Sequence, residues 1–196
     1  VGYDNPQSFS KAFRKLFGIS PKAYINGLNA RLQEYVKSSG GKYETVPSEI
    51  CEEEDLNLIY IRIVGQYGEE KPYETAWNKL IKFLEEKQAL SAATRFIGLS
   101  FDDPNVTTAG QCRFYACATV DKPVEAAGVF GTLRLRKGKY AVYTLKGSYS
   151  SLQEFYNNIS VSFNHTIRHG MPFEEYIHYT GTDSEAALTK IYIPIK

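Results

Sequence analysis

Several groups of residues in this 196-residue chain are of types and spacings that could do chemistry. His165 and His169 stand four apart in a stretch that reads as helix, the spacing at which two imidazoles can meet one zinc ion. No third ligand is evident nearby, and a cationic cap on a helix C-terminus accounts for the pair without a metal. Cys51, Cys112 and Cys117 are an odd number at spacings matching neither a zinc site nor a redox pair, so they read as reduced, partly buried thiols. Three Asn-x-Ser/Thr sequons, at Asn105, Asn158 and Asn164, follow no secretion signal and match a pattern common by chance. Near the N-terminus Gln7, Ser8, Lys11, Arg14 and Lys15 lie on one polar side of a short helix. Residues 1–37 carry a net charge of +4 and the remainder −3, so the two parts face different partners. No metal or cofactor signature emerges.

The elements that must position these residues are legible in the punctuation. Asp4 or Asn5 caps a first helix, Pro6 takes its first position, and Gly18 closes it behind an apolar stripe of Phe9, Phe13, Leu16 and Phe17. A second helix starts at Ser20-Pro21, with Tyr24, Leu28, Leu32 and Tyr35 on one side. It runs out in Ser38-Ser39-Gly40-Gly41, a flexible linker composition. The domains are therefore 1–37, a linker at 38–42, and 43–196. The larger segment repeats itself: Gly65-Gln66-Tyr67 aligns with Gly147-Ser148-Tyr149, each after a strand (56–64, 139–146) and before a helix (72–88, 151–168). The helices carry apolar faces built on Tyr73, Trp77 and Leu80 in one and Leu152, Phe155 and Ile159 in the other. Ser151 with Glu154 reads as a capping box and Gly170 as the stop of the second helix.

Two strands follow each helix, 95–101 with 112–120 and 173–179 with 189–195, joined by acidic turns at Asp102-Asp103-Pro104 and Gly181-Thr182-Asp183. The connector 121–138 adds a short strand at Thr132 to Arg136. The fold class is α+β: a tandem strand-helix-strand-strand repeat with pseudo-twofold symmetry, preceded by a short two-helix segment. Both helices lie on one face of the sheet, leaving a groove between the halves as the ligand site. With 43% hydrophobic residues the chain buries a sizeable core. Its lack of a bilayer-length apolar run or a secretion signal predicts a cytoplasmic protein with no membrane partner.

Two resemblances add to this reading. The run from Gly2-Tyr3 through Phe9-Ser10-x-x-Phe13 and Phe17-Gly18-x-Ser20-Pro21 to Tyr24 resembles the end of the AraC/XylS-type DNA-binding region. That likeness implies that the two-helix segment is a remnant of a helix-turn-helix DNA-binding domain and its first helix a recognition helix, presenting Gln7, Ser8 and Lys11 to base edges with Arg14 on phosphates. The chain opens inside such a region, so promoter DNA is expected as a partner of a longer parent protein and only weakly, or not at all, of this fragment. Without the resemblance, the basic residues read as the solvated face of an amphipathic helix.

Residues 43–196 resemble the GyrI-like effector-binding domain of bacterial transcription regulators. The likeness rests on Gly65-x-Tyr67, the Trp77 helix, Gly138-Lys139-Tyr140-Ala141-Val142 leading to Gly147-x-Tyr149, Pro172-Phe173-Glu174-x-Tyr176, and Ile191-Tyr192-Ile193-Pro194-Ile195. It implies a groove lined by aromatics and carrying an acidic residue that binds lipophilic, often cationic molecules. Glu174 and Tyr176 share one face of their strand, and Tyr67, Trp77, Tyr149 and Tyr192 complete the candidate set. Glu175 is the competing acid if the register is off by one, and each aromatic can equally belong to the core. The expected function is a ligand-responsive transcription regulator and not an enzyme. The alternative is a hydrolase of small cyclopropane-bearing natural products that uses the groove glutamate as general acid or base.

Overall fold

The computed structural model describes residues 5–27, 44–104, 107–177 and 186–196. The chain divides into two compact units, Val1–Glu44 and Thr45–Lys196.

In the first unit α1 (Pro6–Phe17) begins where the Asn5 side chain accepts a hydrogen bond from the Ser8 backbone N–H at 2.8 Å. It ends at Gly18, whose φ of 75° lets its N–H return to the Arg14 carbonyl. A second helix, α2, opens at Pro21 and is described through residue 27. The Tyr24 ring stands 5.4 Å from Phe13 and 5.5 Å from Phe17, so aromatic packing joins the two helices. Gln7, Ser8, Lys11 and Arg14 are all exposed. The expected apolar positions Leu28, Leu32 and Tyr35, and the linker at 38–42, lie outside the described residues.

The second unit contains β1 (Glu49–Glu53), β2 (Leu56–Val64), α3 (Glu70–Glu86), β3 (Phe96–Ser100), β4 (Arg113–Thr119), β5 (Phe130–Leu135), β6 (Gly138–Lys146), α4 (Leu152–Ser162), β7 (Phe173–Ile177) and β8 (Leu188–Pro194). The strands form one antiparallel sheet in the order β1-β6-β8-β7-β3-β4-β2-β5. The tandem repeat is visible in that order. β7 and β3 pair at the centre, and β8-β6 and β4-β2 extend symmetrically to either side. The edge strands are exchanged: β1 leads into β2 yet pairs with β6, and β5 leads into β6 yet pairs with β2.

This exchange forces the sheet to curl. β1 and β2 are six strand positions apart, about 29 Å across a flat sheet at ~4.8 Å per strand. The link from Glu53 to Leu56 spans at most roughly 11 Å, and the link from Leu135 to Gly138 faces the same constraint. Asp55 pins the two links together, accepting hydrogen bonds from the Lys137 backbone N–H at 2.6 Å and from Arg134 at 2.5 Å. The result is a half-barrel. On its concave face Leu58, Ile97, Leu99, Cys117, Tyr140, Phe173 and Tyr192 bury one another without a helix. On its convex face α3 packs Trp77, Leu80 and Leu84 onto Ile59, Ile61 and Phe114, while α4 packs Phe155 and Ile159 onto Ala141, Tyr143 and Ile191.

Three sequence expectations fail locally. Strand β1 went unforeseen because Glu-Ile-Cys-Glu-Glu, half-exposed on an edge, carries almost no apolar alternation. The capping box at Ser151 does not form. A 3-10 turn at Tyr149–Ser151 runs straight into α4, so Ser151 has helical backbone angles and makes no side-chain cap; the Ser148 hydroxyl accepts from the Ser150 N–H instead. Helix α4 ends at Ser162 and not at Gly170, because Phe163 turns extended and the chain docks on β8 through an Ile167–Ile195 bridge. His165 and His169 therefore lie beyond the helix, which removes both the zinc-type spacing and the helix-cap reading. The turn predicted at Gly181-Thr182-Asp183 lies outside the described residues.

Candidate ligand groove

Strand β7 decides the electrostatics of this unit, because its two adjacent glutamates point to opposite faces of the sheet. Glu174 pairs across the ladder with Ile191 and Tyr176 with Thr189, so these four share the helix-covered face. Phe173 and Glu175 pair with Tyr192 and Lys190 on the concave side.

On the helix face the Glu174 carboxylate accepts one hydrogen bond from the Tyr156 hydroxyl of α4 at 2.7 Å and another from the Tyr176 hydroxyl at 2.5 Å. Only 4% of Glu174 is exposed. Burial raises its carboxyl above the ordinary range, and the two tyrosine hydrogen bonds only partly offset that. No cation pairs with it among the described residues. Tyr176 in turn is walled by aromatic edges, Trp77 at 5.6 Å and Tyr149 at 5.3 Å. Tyr67 packs on the same cluster, its hydroxyl donating to the Arg113 carbonyl and accepting from the Asp102 N–H. Burial also pushes the Tyr73 and Tyr156 hydroxyls up, with Glu174 adding to both, so they remain protonated. The Thr189 hydroxyl, next to Tyr176, is buried without a partner. An apolar hollow of about 270 Å³ continues from Tyr156 along α4, lined by Ile159, Phe163, Ile167 and Ile193. A larger hollow, about 330 Å³, is lined by Asp55, Asn57, Arg95 and Asp121, none of which contacts Glu174.

The closeness of this packing depends on Gly98 in β3. A Cβ there would stand 2.6 Å from the Tyr176 hydroxyl and 2.7 Å from the Phe114 ring. Gly98→Ala is expected to cost about 1–3 kcal/mol by overpacking, measured by urea unfolding, and to push Tyr176 off Glu174.

Of the aromatics picked from sequence, Tyr176, Trp77, Tyr67 and Tyr149 come together in one cluster, in which Tyr176 is hydrogen-bonded to Glu174. Tyr192 does not. It stacks on Phe173 at 4.2 Å on the concave face, and its hydroxyl donates to Glu175 at 2.7 Å. The reason is parity: Tyr192 is one residue out of phase with Ile191, which shares the face of Glu174. Sequence reasoning did not pick Tyr156, which hydrogen-bonds to Glu174, or Tyr73, whose hydroxyl feels the Glu174 charge. Both were visible as tyrosines on the helices' apolar stripes, where a phenol needs a partner.

Residues 47–196 match the GyrI-like small molecule binding domain family. The chain belongs to that family. Ahead of the GyrI-like domain, residues 1–26 match the bacterial regulatory helix-turn-helix proteins of the AraC family. The chain is 25% identical over 144 residues to YosT of Bacillus subtilis, an SPbeta prophage-derived candidate transcriptional regulator, covering 72% of this chain and 94% of that protein. In fold it is similar to EcmrR in an EcmrR–DNA complex, with a TM-score of 0.61, 17% identity, and coverage of 97% of this chain and 69% of that one. The GyrI-like domain is also similar to SAV2435 bound to tetraphenylphosphonium, with a TM-score of 0.52, 19% identity, and coverage of 76% and 94%. No helix among the described residues is long and apolar enough to cross a membrane.

Proposed function

We propose that the chain is the sensing part of a ligand-responsive transcription regulator, with residues 43–196 binding a lipophilic cation in the groove and residues 1–37 belonging to the DNA-binding region. The observation that carries this reading is a carboxylate buried beside aromatic rings with no positive partner among the described residues. Such a group is costly to desolvate and gains most from a ligand that brings both charge and apolar surface. Glu174 supplies the counter-charge, Tyr176, Trp77, Tyr67 and Tyr149 the aromatic walls, and Tyr156 the link to the apolar hollow. Tetraphenylphosphonium in SAV2435 is a ligand of this chemistry. The basic, exposed face of α1, with Gln7, Ser8, Lys11 and Arg14, suits major-groove contact.

The test is calorimetric titration with tetraphenylphosphonium chloride and with neutral triphenylphosphine oxide. The cation is expected to bind and the neutral analogue to bind at least about ten-fold more weakly, the separation that one desolvated charge contact supports. Equal affinities, or no binding of the cation, would overturn the reading. Mass spectrometry after long incubation with excess ligand separates sensing from hydrolysis: a sensor returns its ligand chemically unchanged.

A further inference from the structure

Behind Glu174, on the concave face, Arg95 holds two strands at once. Its guanidinium donates to Glu175 of β7 at 2.7 and 2.8 Å and to Glu53 of β1 at 2.6 Å, and its plane sits 5.7 Å from the Tyr192 ring. Glu53 and Arg95 meet only because the sheet curls, since β1 and β3 are four strand positions apart in the ladder order. β1 is an edge strand whose ladder partner among the described residues is β6, and the Arg95 clasp tethers it in addition to that ladder. It is also the first strand of this unit in chain order, beginning at Glu49, while the N-terminal unit ends at Glu44.

We propose that Glu53, Arg95 and Glu175 are positioning residues that couple the state of the ligand groove to β1, the strand by which the chain enters the sensing unit. This rests on the groove at Glu174 being the ligand site. Glu174 and Glu175 are neighbours on a five-residue strand, so a displacement of the backbone at Glu174 is carried directly to Glu175. Forked guanidinium–carboxylate bonds tolerate little change in angle, so Arg95 follows Glu175, and its other edge pulls on Glu53. Neither partner belongs to the groove itself. The clasp thus offers what coupling requires, a contact that each site can bias and that reaches the first strand of the sensing unit in chain order.

Hydrogen-exchange mass spectrometry of the peptide covering β1 tests this in a double-mutant cycle. Glu174→Gln and Glu53→Gln are compared singly and together, each with and without saturating tetraphenylphosphonium chloride. Ligand-free Glu174→Gln is expected to change β1 exchange by roughly three-fold or more, and Glu53→Gln to remove most of that response. Saturating ligand should likewise alter β1 exchange in the wild type and not in Glu53→Gln. The proposal is overturned if Glu174→Gln leaves β1 exchange unchanged or acts equally in both backgrounds. Should the cation fail to bind at all, the function reading falls while the ligand-free cycle still decides the coupling. If circular dichroism shows Glu53→Gln unfolded, Arg95→Lys replaces it: it keeps a charge beside Glu175 but cannot fork to Glu53.

Discussion

Glu174→Gln is expected to weaken tetraphenylphosphonium binding by about 30-fold or more at pH 7, because removing one member of a desolvated charge contact costs about 2 kcal/mol or more. Tyr192→Phe, on the opposite face of the sheet, should weaken binding far less, because its hydroxyl donates to Glu175 and not to Glu174. Ionisation sets the pH dependence. The folded carboxyl of Glu174 lies above its ordinary value, mainly through burial, and the cation favours the ionised form. Affinity should therefore climb as pH rises through that raised pKa and then level off, and in Glu174→Gln this rise should vanish. Stability of the ligand-free protein runs the other way. A carboxyl raised on folding contributes stability that is full below its unfolded value, about 4.3, and is lost as pH rises through the folded value. Ligand-free Glu174→Gln is accordingly expected to be at least as stable as the wild type near neutrality, the pattern of a site that holds unfavourable charge for a purpose. A variant that binds the cation normally would remove Glu174 from the site.

Arg95→Met is the second large effect, and its pH dependence has the opposite sign. Burial works to raise the Glu175 carboxyl, but hydrogen bonds from Arg95 and Tyr192 outweigh it and leave the group below the ordinary range. A depressed carboxyl contributes stability that is present above its unfolded value and is lost as pH falls through the folded value. Removing Arg95 strands Glu53 and Glu175 together, and breaking a buried ion pair costs about 3–5 kcal/mol. Arg95 keeps 24% of its side chain exposed, so roughly 3 kcal/mol is expected at pH 7. Urea unfolding followed by Trp77, the chain's single tryptophan, reads this unit directly. The deficit should shrink toward pH 4 as the Glu175 carboxylate protonates. An equal deficit at both pH values would mean that Arg95 acts through packing alone.

The contrast between the two glutamates shows how far the sequence could be read. Period-two alternation in Phe-Glu-Glu-Tyr-Ile puts Glu174 with Tyr176 and apart from Glu175 whatever the partner strands. Similarly, Asn5, Pro6 and Gly18 bound α1 through local backbone chemistry, and the repeat of a glycine-x-tyrosine turn before each helix reveals a doubled α+β fold. Those features depend on neighbours a few residues away, and the sequence by itself determined them. Tertiary structure alone decided that Glu174 faces the helices and Glu175 the hollow of the half-barrel. It also carried Tyr192 to the far side, ended α4 at Ser162 by docking the following segment on β8, and brought Glu53 of the unforeseen β1 to Arg95. These outcomes follow from edge-strand exchange and the curl it imposes, which join residues far apart in the chain. No local pattern of charge or hydrophobicity encodes such meetings, because their energy exists only once the sheet has closed on itself.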